Sequence, residues 1–251
     1  MGYMIAVTGK GGVGKTTFSG LAVKNLIALG KRPILAIDAD PNSCLDAALG
    51  LKTTNTVGRA REDVKQEGAS ANISTKELLQ IKLNESLVES NGFDLIAMGR
   101  PEGAGCYCYA NNVLKSVIAE LAGQYPYVLL DNEAGLENLS RRIVQKVDMM
   151  ALVSDASNSG LETLKRLYDL AKEMEIEYAS LALVINRVKN DNYLEKIEAI
   201  KKYAKADFVC GLPEDAEISE FAENGRSLLE LPERNPVNVK VNEFIRSLTQ
   251  I

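Results

Sequence analysis

The chain has 251 residues, 46% hydrophobic and 25% charged, which suits one sizeable α/β domain and excludes a disordered chain. A net charge of −5 and a pI near 5.1 argue against nucleic acid as a main partner. No apolar run approaches the roughly 18 residues of a membrane span, and Met1-Gly2-Tyr3-Met4 enters a strand-like run directly, leaving no room for a signal peptide.

Met4-Ile5-Ala6-Val7 reads as a buried strand and Phe18 to Leu29 as a helix. Between them, Gly9-Lys10-Gly11-Gly12-Val13-Gly14-Lys15-Thr16-Thr17 fits the phosphate-loop pattern G-x-x-x-x-G-K-[ST]. Its glycines let consecutive N–H groups turn inward on an anion, and the following helix adds its positive end. Gly11, Gly12, Val13, Gly14, Lys15, Thr16 and Thr17 are therefore the expected contacts for the phosphates of a nucleotide. Lys15 should reach the terminal phosphates and the Thr16 hydroxyl should ligate Mg²⁺. Four cysteines are too few for a disulfide scaffold of this size, and with a nucleotide site they point to the reducing cytoplasm.

Lys10 stands where an ordinary phosphate loop accepts any residue. At the mouth of the nest it reads by itself as a solvated charge. Lys10-Gly11-Gly12-Val13-Gly14-Lys15-Thr16-Thr17 resembles the deviant Walker A motif of the MinD/ParA/nitrogenase-iron-protein class. That resemblance implies an ATPase whose homodimer closes around two ATP molecules, with Lys10 reaching the partner's nucleotide.

After a turn at Gly30-Lys31-Arg32-Pro33, Ile34-Leu35-Ala36-Ile37 reads as a second buried strand, ending in Asp38-Ala39-Asp40-Pro41. Carboxylates at the end of a parallel strand beside a phosphate loop suit Mg²⁺ and water chemistry. By resemblance to the class, this is the first switch: Asp38 would hold a Mg²⁺-bound water and Asp40 would orient or deprotonate the attacking water. Either carboxylate also suits the cap of a helix from Asn42 to Leu49, on which Cys44 is expected to be a small buried hydrophobe. Residues 51–92 read as a surface insertion, loop-like at Thr53-Thr54-Asn55-Thr56 and helically spaced from Thr75 to Ser90.

Phe93 to Met98 is another strand, leading through a glycine-rich stretch to Cys106-Tyr107-Cys108 and a helix from Asn112 to Ala122. Two thiols one residue apart can bind one metal, but two thiolates are an incomplete shell for Zn²⁺ or Ni²⁺. The chain has no histidine to complete it. A two-fold axis would bring a second Cys106–Cys108 pair and make a four-thiolate site at the dimer interface. The reading against this is two unrelated, partly buried cysteines. The deviant loop, Asp38-Ala39-Asp40-Pro41 followed by Ser43-Cys44-Leu45, and Cys106-Tyr107-Cys108 before a helix together resemble one branch of the class. This is the CooC-type accessory ATPases of nickel carbon monoxide dehydrogenase and its acetyl-CoA synthase relatives. The resemblance implies a metallochaperone with Ni²⁺ as cargo and such a nickel enzyme as client.

Tyr127-Val128-Leu129-Leu130-Asp131 reads as a buried strand ending in the carboxylate expected near Mg²⁺. Asn132-Glu133-Ala134-Gly135 is then the second switch, where Gly135 would offer its N–H to the γ-phosphate. Glu133 departs from the small residue or proline of many class members. A helix from Glu137 to Val147, carrying Arg141 and Arg142, leads to a strand at Met149–Ser154 and a helix at Leu161–Met174. Leu181 to Ile185 is a strand ending in Asn186, which the class resemblance assigns to the adenine edge. A helix from Tyr193 to Ala204 precedes the strand Phe208-Val209-Cys210-Gly211-Leu212-Pro213, and Pro213 starts the loop expected on the base. Glu214 and Asp215 suit a helix start, Cys210 suits the core, and the segment from Val237 suits docking on the domain.

Strands alternating with helices, each nearly continuous in apolar residues, define a single-domain, doubly wound, mostly parallel sheet. Two further readings stay open. A MinD- or ParA-like spatial regulator needs a cationic tail or basic surface, where the C-terminal stretch has only Lys240 and Arg246. An iron–sulfur electron-transfer ATPase would also use four thiolates per dimer.

Overall fold

The computed structural model describes residues 2–67, 73–100, 114–115, 118–136, 146–189 and 194–248. Its strands are β1 (Tyr3–Gly9), β2 (Ile34–Asp38), β3 (Leu87–Glu89), β4 (Phe93–Ala97), β5 (Tyr127–Ala134), β6 (Lys146–Asp155), β7 (Glu177–Val188) and β8 (Phe208–Pro213). The described residues form one eight-stranded sheet in the order β3-β4-β2-β5-β1-β6-β7-β8. Every pairing is parallel except β3 with β4 at one edge.

Side chains alternate across this sheet, so each strand serves two cores. Met4 and Ala6 of β1 join one apolar cluster with Leu35, Ile37, Leu130 and Leu183. Ile5 and Val7 join the other with Ala36, Leu129, Val153 and Val184. Burial on both faces is why the strands read as continuous apolar runs rather than alternating ones. The first face is covered by α3 (Val57–Glu67), α4 (Thr75–Asn84), α5 (Asn158–Glu173) and α6 (Leu194–Ala204). The second is covered by α1 (Lys15–Ala28), α2 (Leu45–Ala48), α7 (Ala216–Glu223) and α8 (Pro236–Leu248).

The helix α1 is buried nearly all round, between the sheet and α8. Its polar Asn25 is matched there: Nδ2 donates to the Leu21 carbonyl at 2.8 Å and to Asn238 Oδ1 at 2.9 Å, and Oδ1 accepts from Asn242 Nδ2 at 2.7 Å. Leaving such groups unpaired would cost about 1–3 kcal/mol each. The apolar side of α8 (Val237, Val241, Phe244, Ile245, Leu248) is inside this core, with Phe244 5.8 Å from the Phe18 ring.

Several elements differ from the expectation. The helix expected at Asn42–Leu49 is only Leu45–Ala48, because Ser43 has φ 42° and the preceding carboxylates take the backbone N–H groups of Asn42 and Leu45. Cys44 on it is exposed rather than buried. The helical spacing of Thr75–Ser90 ends at Asn84, behind a Ser74–Glu77 capping box, and Leu87–Glu89 pairs with β4. Lys146 and Val147, expected at the end of a helix, begin β6; Arg141 and Arg142 lie outside the described residues. Asp215 does cap α7, accepting from Ile218 N–H at 3.0 Å.

Candidate functional site

The phosphate loop joins β1 to α1 at the carboxyl end of the sheet centre. Gly12 has φ 77° and Gly14 has φ 96°, a left-handed turn that glycine alone adopts without strain. Gly14 is the N-cap of α1, with no side-chain cap bond and no acidic residue in the first turn. The first amides of α1 therefore remain for an anion, where the helix dipole also favours one. Lys10, Gly11 and Gly12 are exposed, while Val13 is buried and anchors the loop. Lys15 is buried across the loop, its Nζ donating to the Lys10 carbonyl at 3.2 Å. Burial pulls its ammonium below the usual lysine range, against the attraction of Asp131, Asp40 and Glu133.

Two carboxylates lie side by side on neighbouring strands, one of them, Asp131, attracting this lysine. Asp38 of β2 and Asp131 of β5 are register partners, and both are almost fully buried. Burial pushes Asp38 up to about 7 and Asp131 up to about 6. The Asp131 charge adds to the cost at Asp38, and the Asp40 charge adds to the cost at Asp131. Asp38 accepts from Leu45 N–H at 2.9 Å and Asp40 N–H at 3.1 Å. Asp131 Oδ1 accepts from the Ser19 hydroxyl at 3.1 Å, and the Thr16 hydroxyl also bonds to Asp131. A hydroxyl beside two carboxylates that burial disfavours as anions is a donor set suited to a hard divalent cation. Asp40, at the rim, accepts on Oδ1 from Asn42 N–H at 2.8 Å and Asn42 Nδ2 at 3.0 Å.

The remaining expected residues ring the loop. Gly135 has φ 87°, and its N–H donates to the Gly9 carbonyl at 3.0 Å while the Thr8 hydroxyl donates to its carbonyl. Asn186 ends on the loop itself, Nδ2 donating to the Val13 carbonyl at 2.8 Å. Thr17 is half-buried on α1, and Pro213 pairs with Val188 at the end of β8. Lys10, Lys15, Thr16, Asp38, Asp40, Asp131 and Gly135 thus converge on one end of the sheet. Cys106 and Cys108 lie outside the described residues. Among the described residues no group of three or more Cys, Asp or Glu could hold a metal ion.

Other side chains shape the site without a motif to announce them. Ser19 reaches Asp131 from one turn beyond Thr16, a spacing that places both hydroxyls on one helix face. Asp155 ends β6 beside Lys10 and Arg187; its Oδ1 accepts from Ser157 N–H at 2.9 Å, and these neighbours hold its carboxyl below the usual range. Arg100 donates to Asn42 Oδ1, tying the end of β4 to the rim of the site.

A strand–glycine loop–helix at the centre of a parallel sheet, with a buried lysine and a carboxylate on the neighbouring strand, defines a P-loop NTPase. The chain belongs to the CobQ/CobB/MinD/ParA nucleotide-binding family, whose description matches residues 4–229. It is 43% identical to an uncharacterised ATP-binding protein of Methanocaldococcus jannaschii, over 98% of both chains. It is 29% identical to the carbon monoxide dehydrogenase accessory protein CooC of Rhodospirillum rubrum, over 90% of this chain and 89% of that one. It is also 29% identical to the septum site-determining protein MinD of Bacillus subtilis, over 99% of this chain and 89% of that one. The fold matches MinD of Aquifex aeolicus with a TM-score of 0.71 at 22% identity, over 100% of this chain and 98% of that one. The chain is an ATPase of this family.

Proposed function

We propose that this ATPase is a CooC-type metallochaperone that dimerises on ATP or metal binding. It acts in the cytoplasm on a nickel enzyme, carbon monoxide dehydrogenase or acetyl-CoA synthase. The observation that carries this reading is Cys106-Tyr107-Cys108 in a chain 29% identical to CooC along 90% of its length. Two such pairs across a two-fold axis would hold Ni²⁺ or Zn²⁺ with four thiolates.

In the hydrolytic cycle, the loop amides from Gly11 to Thr17 and the Lys15 ammonium bind the phosphates. Thr16 and, through water, Asp38 and Asp131 would hold Mg²⁺, which would neutralise charge on the phosphate oxygens. Asp40 orients or deprotonates the attacking water. Lys10 crosses to the partner's nucleotide. The Gly135 N–H leaves the Gly9 carbonyl for the γ-phosphate, so that this one bond is the moving part of the second switch. Asn186 and Pro213 face the base.

Bacillus subtilis MinD is equally identical and keeps a spatial-regulator reading in view. Against a membrane-bound regulator, the apolar side of α8 is already docked on α1 and β8. No described helix is long and apolar enough to cross a membrane. The test is sizing with metal analysis, with and without ATP, on the wild type and on Cys106→Ser with Cys108→Ser. The double variant should lose about one metal ion per two chains. Unchanged metal content removes the metallochaperone reading, and ATP-dependent pelleting with anionic liposomes would establish the alternative.

A further inference from the structure

Among the described residues, the end of β1 grips β5 and the residue after it at three successive positions. The Val7 carbonyl accepts from Asn132 Nδ2 at 3.0 Å. The Thr8 hydroxyl donates to the Gly135 carbonyl, and the Gly9 carbonyl accepts from the Gly135 N–H at 3.0 Å. Asn132 is buried and roots the segment. Gly135 lies beyond it and carries the other two bonds.

The two sides of this grip are unequal. Thr8 is fully buried, and a Cβ on Gly9 would lie 2.1 Å from the Val153 carbonyl oxygen, so this end of β1 is wedged against β6 and cannot give way. Gly135 is the opposite. Its φ is 87°, and a Cβ there would meet nothing within 4 Å among the described residues. Hydrogen bonds to β1 hold it instead, one on each of the peptide groups that flank its Cα.

These two bonds respond differently to an incoming phosphate. The Gly9 carbonyl and a γ-phosphate oxygen are both acceptors and compete for the same N–H. The Thr8 bond uses the Gly135 carbonyl, itself an acceptor, for which a phosphate oxygen offers nothing. Drawing Gly135 toward the loop therefore loses the Thr8 bond with no contact from the nucleotide to replace it.

We propose that Thr8 is a positioning residue for Gly135: it weakens the binding of ATP but not of ADP, and it takes the second switch back once the γ-phosphate is gone. This rests on the Gly135 N–H being the group that meets the γ-phosphate. A ligand that needs a less populated arrangement binds more weakly, in proportion to the fraction of chains already in it. ATP carries that penalty, because its γ-phosphate calls Gly135 away. ADP leaves Gly135 where Thr8 and Gly9 hold it. After hydrolysis the same hydroxyl favours the return of Gly135, and with it the opening of the site.

The test measures dissociation constants by calorimetry, with Mg²⁺ present, for a non-hydrolysable ATP analogue and for ADP. The chains are wild type, Thr8→Val, Thr8→Ala and Thr8→Ser, with thermal melting as a folding control. Thr8→Val keeps the side-chain shape, and Thr8→Ala removes the same hydroxyl should Thr8→Val not fold. Loss of one neutral hydrogen bond from the holding side should tighten the analogue about two- to tenfold in both. ADP affinity should not change, and Thr8→Ser, which keeps the hydroxyl, should match the wild type. In parallel, the Gly135 amide resonance is followed in ¹⁵N-glycine-labelled wild type, where the analogue should move it further than ADP does. If the analogue moves it no further than ADP, the reading of Gly135 as the γ-phosphate contact fails and the inference falls with it. If it does move further, yet removing the hydroxyl leaves the analogue's affinity unchanged or weaker, or tightens analogue and ADP alike, the holding role of Thr8 is wrong. A Thr8→Ser chain that behaves like Thr8→Val overturns it too, because the hydroxyl is then not the cause.

Discussion

Gly14 and Asn186 form a pair whose energetics can be worked out from geometry. Gly14 has φ 96°, and a Cβ there would sit 2.2 Å from Asn186 Nδ2. Gly14→Ala must therefore strain the backbone, at about 1–2 kcal/mol. It must also push Asn186 off the Val13 carbonyl, which it reaches at 2.8 Å, losing about 0.5–1.5 kcal/mol more. The total of about 2–3 kcal/mol corresponds to a fall in Tm of roughly 5–10 °C for a chain of this size. Gly12→Ala is the control: its φ is 77°, but nothing lies within 4 Å of its Cβ. It should lose only the backbone part, about 1–2 kcal/mol. Adding Asn186→Ala should cost about 1 kcal/mol in the wild-type background and nothing further in Gly14→Ala, where the bond is already gone. Denaturant unfolding of the four chains of this cycle measures the difference. An Asn186→Ala cost that is the same in both backgrounds, or equal losses for Gly12→Ala and Gly14→Ala, would refute the reasoning.

Mixing Lys10→Ala with Asp40→Asn, each inactive alone, should restore about a quarter of wild-type ATPase activity. Half of randomly paired dimers are mixed, and one of their two sites has every group; no recovery on mixing would show that Lys10 acts within its own chain. Stability of the nucleotide-free chain should fall as pH rises from about 4 to about 7. Asp38 and Asp131 keep their protons to about 7 and about 6 when folded, against an ordinary 3.8. The folded chain therefore binds more protons than the unfolded chain in that window, and the stability present below it is lost, on the order of a few kcal/mol. Urea melts across this range should show the decline, and Asp131→Asn should flatten it; a slope of the opposite sign would contradict the assignment.

Legibility in the sequence followed how local each signal was. Gly9 to Thr17 carries its whole meaning in consecutive residues, because a phosphate nest is made by backbone amides of one short loop. The strand cores were equally plain, since burial on both faces forces uninterrupted apolar runs such as Ile34 to Ile37. Where two local rules compete, the chain alone did not decide. Asn42 to Leu49 has helical composition, yet Asp38 and Asp40 divert its first amides. Leu87 to Glu89 continues a helical spacing, yet the open edge of β4 claims it as a strand. The same diversion leaves Cys44 in water rather than in the core.

The sequence by itself settled that this chain folds as a P-loop ATPase, because glycine, lysine and hydroxyl at fixed spacing need only one turn of backbone to act together. Tertiary structure alone decided which distant groups meet that turn. Ser19 on Asp131, Asn186 on Val13 and Arg100 on Asn42 join residues 58 to 173 positions apart. Such contacts are fixed by the order in which parallel strands assemble, a long-range property that no short window of residues carries.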